Sequence, residues 1–451
     1  MHAIGAMDRA FLSMPDDQPP VVGFFLDFLG PPPSYDDLAA RVLREARRLP
    51  ALRHLFPPRG ARIWPAQGGD LDQAVHVHHR EVPTGGPQAL ADVCESLIGH
   101  PLPGRRHPQW DCWLLTRRDA PDRFRVCFRV HHAFLDGVGA AHALIALLAD
   151  APVEGPRLHG TERPGPGALL RAAWGVASPA VRTDRAGQHL GSAPPGRAAP
   201  LWSHHDVPTA RLRDLATSHG VTVNDVSLAA LALALRSWKA PTATSDQRTL
   251  MIMSTRRTHE QYGPGNRVAG SLVALPRTAT TLGAALEAVH RQTEVLRRTQ
   301  RRHAVRALLD LPRPLGPSAG LLRGVLGPRV YPLLTSSVTF PVAFVSFGAR
   351  LDTASMVLSI GDRTPVYLSF TRTPDTVRCT VVADAPRAHT VDLARHWARA
   401  LTDQDDPARG GTAQNPPPKS PPPPKSPPPK PPPKSPKSPE SKSAPETSPP
   451  S

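Results

Sequence analysis

The sequence predicts a mixed α/β protein built in two halves and followed by a tail that does not fold. Three observations carry this reading. Strand-like and helix-like runs alternate in both halves, the text loosens between Ala151 and Pro200 into Pro, Gly, Arg and short apolar pieces, and from Pro416 it becomes almost pure Pro, Lys and Ser. The division expected is an N-terminal half over 1–150, a crossover linker over 151–200, a C-terminal half over 201–405 and a disordered tail over 406–451.

The first clear element is SYDDLAARVLREARRLP. Ser34 is placed to cap a helix that carries Leu38, Val42, Ala46 and Leu49 on one side and stops at Pro50. A second helix is expected over Gln88–Ile98. RFRVCFRV then sets Phe124, Val126, Phe128 and Val130 on one face and Arg125, Cys127 and Arg129 on the other, the pattern of a half-buried strand. In the second half, TVNDVSLAALALALRSW is apolar nearly all round, as a helix enclosed in a core must be. Further strands are expected over Thr249–Ser254, Arg267–Leu275, Ser337–Phe347, Ser355–Ile360, Val366–Thr371 and Val377–Ala383, with helices over Leu282–Arg298 and Val391–Leu401.

From Pro416 the tail holds 18 of the 56 prolines and 6 of the 7 lysines. Proline fixes φ and removes backbone donors, and nothing there is apolar enough to offset the entropy of ordering, so polyproline-II-like disorder is expected. The tail's six lysines and two glutamates carry +4 of the net +16, which leaves an arginine-dominated +12 on the body. That surplus suits coenzyme A, an acidic carrier protein, anionic lipid or nucleic acid, and equally a genome that writes arginine for lysine. No zinc-finger, RNA-binding or helix-turn-helix signature favours nucleic acid. Cys94, Cys112, Cys127 and Cys379 are far apart, so no metal site and no disulfide framework is expected. No signal peptide and no apolar run of membrane-spanning length is present, so the expected location is the cytoplasm, with peripheral contact with the inner face of a membrane or a lipid droplet.

The chemistry points to VHHAFLDGVGA. Strand parity turns His132 inward with Phe128 and Val130, while His131 falls with Arg129 and Cys127. A partly buried neutral imidazole can take a proton from a hydroxyl or amine that attacks a carbonyl, so His132 is the candidate general base. Asp136 stands where a helix begins, as an N-cap or as a buried carboxylate that stiffens the turn when paired with an arginine, and Gly137 lets backbone pass close to a ligand. Neither His78–His79 nor His204–His205 is followed by Asp-Gly at this offset, and both read as surface or strand-edge pairs.

His131-His132-Ala133-Phe134-Leu135-Asp136-Gly137 resembles the HHxxxDG motif of the wax ester synthase/diacylglycerol acyltransferase family, within the superfamily of coenzyme-A-dependent acyltransferases and peptide-synthetase condensation domains. MDRAFLSMP is similar to that family's opening segment, HPQWDCWLL with Trp110 to its Pro-Leu-Trp segment, TVNDVSLAALALALR to its Asn-Asp helix, and MSTRR and GPGNRVAG to its Ser-x-Arg and Gly-Asn segments. The resemblance implies two chloramphenicol-acetyltransferase-like halves forming a pseudodimer, with the motif in a central tunnel. It also implies His132 as general base, His131 as its neighbour, Asp136 as structural carboxylate, Gly137 as the close-approach glycine, Asn224 and Asp225 as a buried pair, Arg256 as the partner of Asp136, and Asn266 near the site. Asn224 and Asp225 either anchor the first helical turn or act directly. Two departures bear on the acceptor side: Gln109 replaces the usual leucine, and TSSVTFPVAF over Thr335–Phe344 replaces an Asn-x-x-Gly-Pro segment.

The activity implied is acyl-CoA-dependent esterification of diacylglycerol or a fatty alcohol, forming triacylglycerol or wax ester. Acyl-CoA is a co-substrate and no cofactor is held. Direct transfer is expected, since no cysteine or serine forms a triad. The alternative retains the chemistry but acylates a hydroxyl or amine of a secondary metabolite, from coenzyme A or a carrier protein. A third reading is a non-catalytic scaffold whose proline-rich tail recruits partners.

Overall fold

The computed structural model describes residues 2–15, 19–65, 68–160, 164–177, 200–238, 247–311, 316–318, 320–322, 333–359, 366–384 and 390–402. The expected tail and half of the expected linker lie outside them. Twelve strands run through these residues: β1 Val21–Leu29, β2 Val77–Glu81, β3 Trp110–Thr116, β4 Arg123–His131, β5 Pro200–Pro208, β6 Gln247–Ser254, β7 Val268–Leu275, β8 Leu333–Thr339, β9 Val345–Ser346, β10 Ala349–Ser359, β11 Val366–Arg372 and β12 Thr376–Asp384. They form two six-stranded sheets, ordered β2-β3-β4-β1-β10-β9 and β5-β12-β11-β8-β6-β7, within the compact unit Met1–Asp405.

β9 and β10 come from the second half of the chain but complete the first sheet, with β10 antiparallel to β1 from Val21↔Ser359 to Leu29↔Arg350. A division at 151–200 therefore does not separate the strands cleanly. β10 also ties the sheets together, since Ser369 Oγ donates to Met356 O at 2.8 Å and Met356 N donates to Thr371 Oγ1 at 3.2 Å. The expected strand Ser337–Phe347 is two strands with a break at 340–344, where Pro341 offers no N–H to a ladder.

The helix of Tyr35–Ala46 begins as expected, with Asp37 N donating to Ser34 Oγ. The helix Val223–Trp238 is buried on most of its surface against Leu393–Thr402 and Leu282–Arg298. The expectation for β4 is overturned on one face. Arg125, Cys127 and Arg129 are buried, not half-exposed, because the helix Gly86–Ile98 covers that face and acids meet the guanidinium groups there. Arg129 forks onto Asp111 and also donates to Leu97 O and His100 O. Arg125 pairs with Asp27, which Arg378 of β12 reaches at 2.9 Å from the other sheet. A buried guanidinium is tolerated only when paired and hydrogen-bonded in this way. The histidine pairs fall on the outer strands, His78–His79 on β2 and His204–His205 on β5.

The connection is more than a linker where it is described. His159 N donates to Arg256 O at 2.8 Å, and the helix Pro166–Ala177 packs on Arg301–Leu309 through Ala168, Ala172, Ala304 and Val305. Among the described residues no single helix is long and apolar enough to cross a membrane.

Candidate active site

β4 delivers the motif. It ends at His131, the chain turns through Ala133–Leu135, and the helix Gly137–Leu148 starts with Asp136 as its N-cap, Gly139 N donating to Asp136 Oδ1 at 2.8 Å. Arg267 N donates to Oδ2 at 2.8 Å, and Arg256 closes the cluster, its Nη2 2.7 Å from Oδ2. The remaining donors of Arg256 go to the carbonyls of Glu260, Gly263 and Gly265. Burial alone would raise the Asp136 carboxyl, but the Arg256 guanidinium and the backbone N–H groups outweigh it and hold the carboxyl below its usual range. The turn bearing His132 is thus locked from both halves.

His132 lies inside, 8% exposed. Its N–H donates to Pro20 O at 2.7 Å, and its ring stacks on Phe11 with centroids 4.3 Å apart and 13° between planes. Burial dominates its titration and lowers it from the ordinary imidazole value, while its own carbonyl, Asp136 and Asn266 act in the opposite direction. The result is a neutral ring at physiological pH, with Nδ1 buried and without a hydrogen-bond partner among the described residues. His131 is buried as well, edge-on to Phe56 and Phe134, with its Nδ1 accepting from Ala133 N at 3.1 Å. It supports the turn.

A cavity of about 740 Å³, within the usual range for small-molecule sites, runs along β6 and β8. It reaches the motif at Val138 and takes in Asn224, Asp225, Ser254 and Ser337–Thr339, together with Arg157, Arg297, Arg302 and Arg372. His132 is not among the lining residues of this cavity. Phe11 covers the ring on one side. Beside Gly137, a Cβ would stand 2.3 Å from Met356 Cε and 3.7 Å from Val338, so this glycine's close approach is to Met356. Met356 fills the space where the cavity wall meets the motif.

The other expected residues separate into groups. Asp225 is an anchor: Thr222 N, Thr293 Oγ1 and His290 Nδ1 surround it, with Arg297 at 3.6 Å. Asn224 contacts Met251 Sδ at 3.4 Å and faces the cavity. Trp110 is buried against His76 and donates to Leu52 O, and it does not line the cavity. Gln109 spends its amide on the carbonyls of Pro103, Gly104 and His107, so it clamps a loop, and its backbone carbonyl accepts from His131 N. The Thr335–Phe344 departure does build the cavity wall, through Ser337, Val338, Thr339 and Pro341. Asn266 Nδ2 donates to His132 O at 2.7 Å. Sequence reasoning misses Asp8 and Phe11, although both lie in the MDRAFL stretch that resembles the family's opening segment.

The catalytic domain of the wax ester synthase/diacylglycerol acyltransferase family matches residues 5–196. A putative diacylglycerol O-acyltransferase of Mycobacterium tuberculosis is 28% identical over 257 residues, 48% of this chain and 53% of that protein, so the match spans about half the relative's length. Among solved structures, the wax ester synthase/diacylglycerol acyltransferase of Marinobacter aquaeolei superposes with a TM-score of 0.57 at 20% identity, covering 88% of this chain and 98% of that one. The starter condensation domain of rhizomide synthetase, in complex with C8-CoA, gives 0.55 at 16%, covering 89% and 94%. The two-sheet architecture is therefore the pseudodimer fold these proteins share, and residues 5–196 are similar to the catalytic domain of the wax ester synthase/diacylglycerol acyltransferase family.

Proposed function

We propose that this protein is an acyl-CoA-dependent O-acyltransferase that esterifies diacylglycerol or a fatty alcohol, with His132 as general base. The observation that carries the reading is a buried, neutral imidazole on a turn fixed by the Asp136–Arg256 pair. With Nδ1 buried, Nε2 is assigned as the nitrogen that accepts the proton. As the alcohol oxygen attacks the thioester carbonyl, its proton passes to Nε2; the C–S bond then breaks and the imidazolium returns the proton to the leaving thiolate. No acyl-enzyme forms in this scheme.

The four cavity arginines suit the phosphates of coenzyme A, and the C8-CoA complex of the rhizomide domain supports a coenzyme A thioester as donor. We place the protein in the cytoplasm, in peripheral contact with lipid.

The polar wall built by Ser337, Thr339, Asn224 and Glu154 favours a second reading in which the acceptor is a hydroxyl or amine of a polar metabolite and the donor is coenzyme A or a carrier protein. The test is to incubate the purified full chain with palmitoyl-CoA and either hexadecanol or dioleoylglycerol, following free thiol and lipid product for wild type and His132→Ala. Ester formation lost in the variant supports the first reading. Thiol release without either ester moves the assignment to the second, and equal ester yield from the variant removes His132 as base.

A further inference from the structure

We propose that Asp8 is a positioning residue for His132, acting through the amide of Asn266, while the same short helix lays Phe11 on the imidazole ring. This rests on the reading of His132 as the base. Asp8 is fully buried in the helix Ala6–Leu12, 258 residues before the Asn266 of the Gly-Asn segment it helps to order.

Capping its own helix uses only part of the carboxylate. Gly5 N donates to Oδ2 at 2.8 Å, whereas Oδ1 accepts from both Asn266 N at 2.7 Å and Asn266 Nδ2 at 3.0 Å. The orientation of the Asn266 amide follows from its surroundings. Nδ2 sits between two acceptors, Asp8 Oδ1 and His132 O, so turning the amide over would set oxygen against both. The chain of contacts therefore has one polarity, from carboxylate to amide to the main chain of the base.

Gly265 is part of the arrangement. Its φ of +95° is one that side-chain-bearing residues avoid, and a Cβ there would lie 2.7 Å from Asp8 Oδ2. One turn along the helix, on the same face as Asp8, Phe11 stacks on the His132 ring. Main chain and ring of the base are thus held by neighbouring side chains of a single helix. A buried carboxylate is costly unless satisfied, and here the hydrogen bonds that satisfy it lead to His132.

The test uses the full chain with Asp8→Asn, Asn266→Ser and the double variant, reading kcat and KM for acyl-CoA beside the melting temperature. The expected result is a fall in kcat of about 10²-fold with KM nearly unchanged, the scale of a small misplacement of a reacting group. The double variant should be no slower than the slower single. Should Asp8→Asn fail to fold, Asn266→Ser carries the prediction alone, because it leaves the backbone bond to Asp8 and removes the amide bond to His132 O. A folded Asn266→Ser enzyme with wild-type kcat overturns the inference. If His132→Ala remains active, it is the underlying reading that fails; if His132→Ala is dead while both other variants keep wild-type kcat, only the role of Asp8 is lost.

Discussion

The carboxylate of Asp136 and the guanidinium of Arg256, 120 residues apart in the chain, meet at 2.7 Å with neither side chain open to solvent. One sits at the start of the motif helix and the other follows β6, so the pair joins the two halves at the motif.

Breaking that pair leaves a buried charge alone, which costs about 3–5 kcal/mol. Arg256→Ala is therefore expected to lower the free energy of unfolding by that amount in urea titration, and to lower turnover with it. Arg256→Met combined with Asp136→Asn, which removes both charges, should recover part of the stability. A single variant as stable as wild type would show that the pair does not hold the turn.

The pH dependence of turnover reports on His132. Its folded pKa lies below the ordinary imidazole value because burial disfavours the charged ring, so the neutral base persists as pH falls through about 6.5, and activity drops only at lower pH. Phe11→Ala, which admits water to the ring, should move that acid limb upward. An unchanged limb would mean that Phe11 does not set the ring's surroundings.

Gly137 and Met356 should behave as a coupled pair. The Cβ added in Gly137→Ala meets the end of a flexible side chain, so the variant is expected to fold but to turn over more slowly. Met356→Ala in the same chain removes the clash and should restore part of the rate, a coupling read from a double-mutant cycle on kcat. Additive effects would separate the two residues.

Acid stability should depend on Asp27. Burial opposes its charge, but Arg125 and Arg378 more than compensate and hold its carboxyl well below the usual carboxylate range. A depressed folded pKa gives stability that is present above about 3.9 and lost as pH falls towards the folded value. Asp27→Asn should flatten this acid-side decline while lowering stability at pH 7, as measured by unfolding midpoints across pH. A decline of wild-type steepness in the variant would place the titration elsewhere.

Much of this was legible in the sequence because it is written in local periods. The two-residue alternation of Phe124–Val130 marks β4, the continuous apolar run after Asn224 marks an enclosed helix, and the spacing of His132 and Asp136 marks the strand–turn–helix unit with its N-cap. Each follows from backbone geometry acting over a few residues.

What the tertiary structure decided is partnership across long stretches of chain, about which local periodicity is silent. Asp8 reaches Asn266 over 258 residues, β10 leaves the second half to pair with β1, and the polar face of β4 is buried because acids from β1 and β3 arrive to meet its arginines. The same holds for Phe11 and Met356, which stand beside the motif. Alternation tells which way a side chain points; the energy of burying it depends on what the rest of the chain brings to that face.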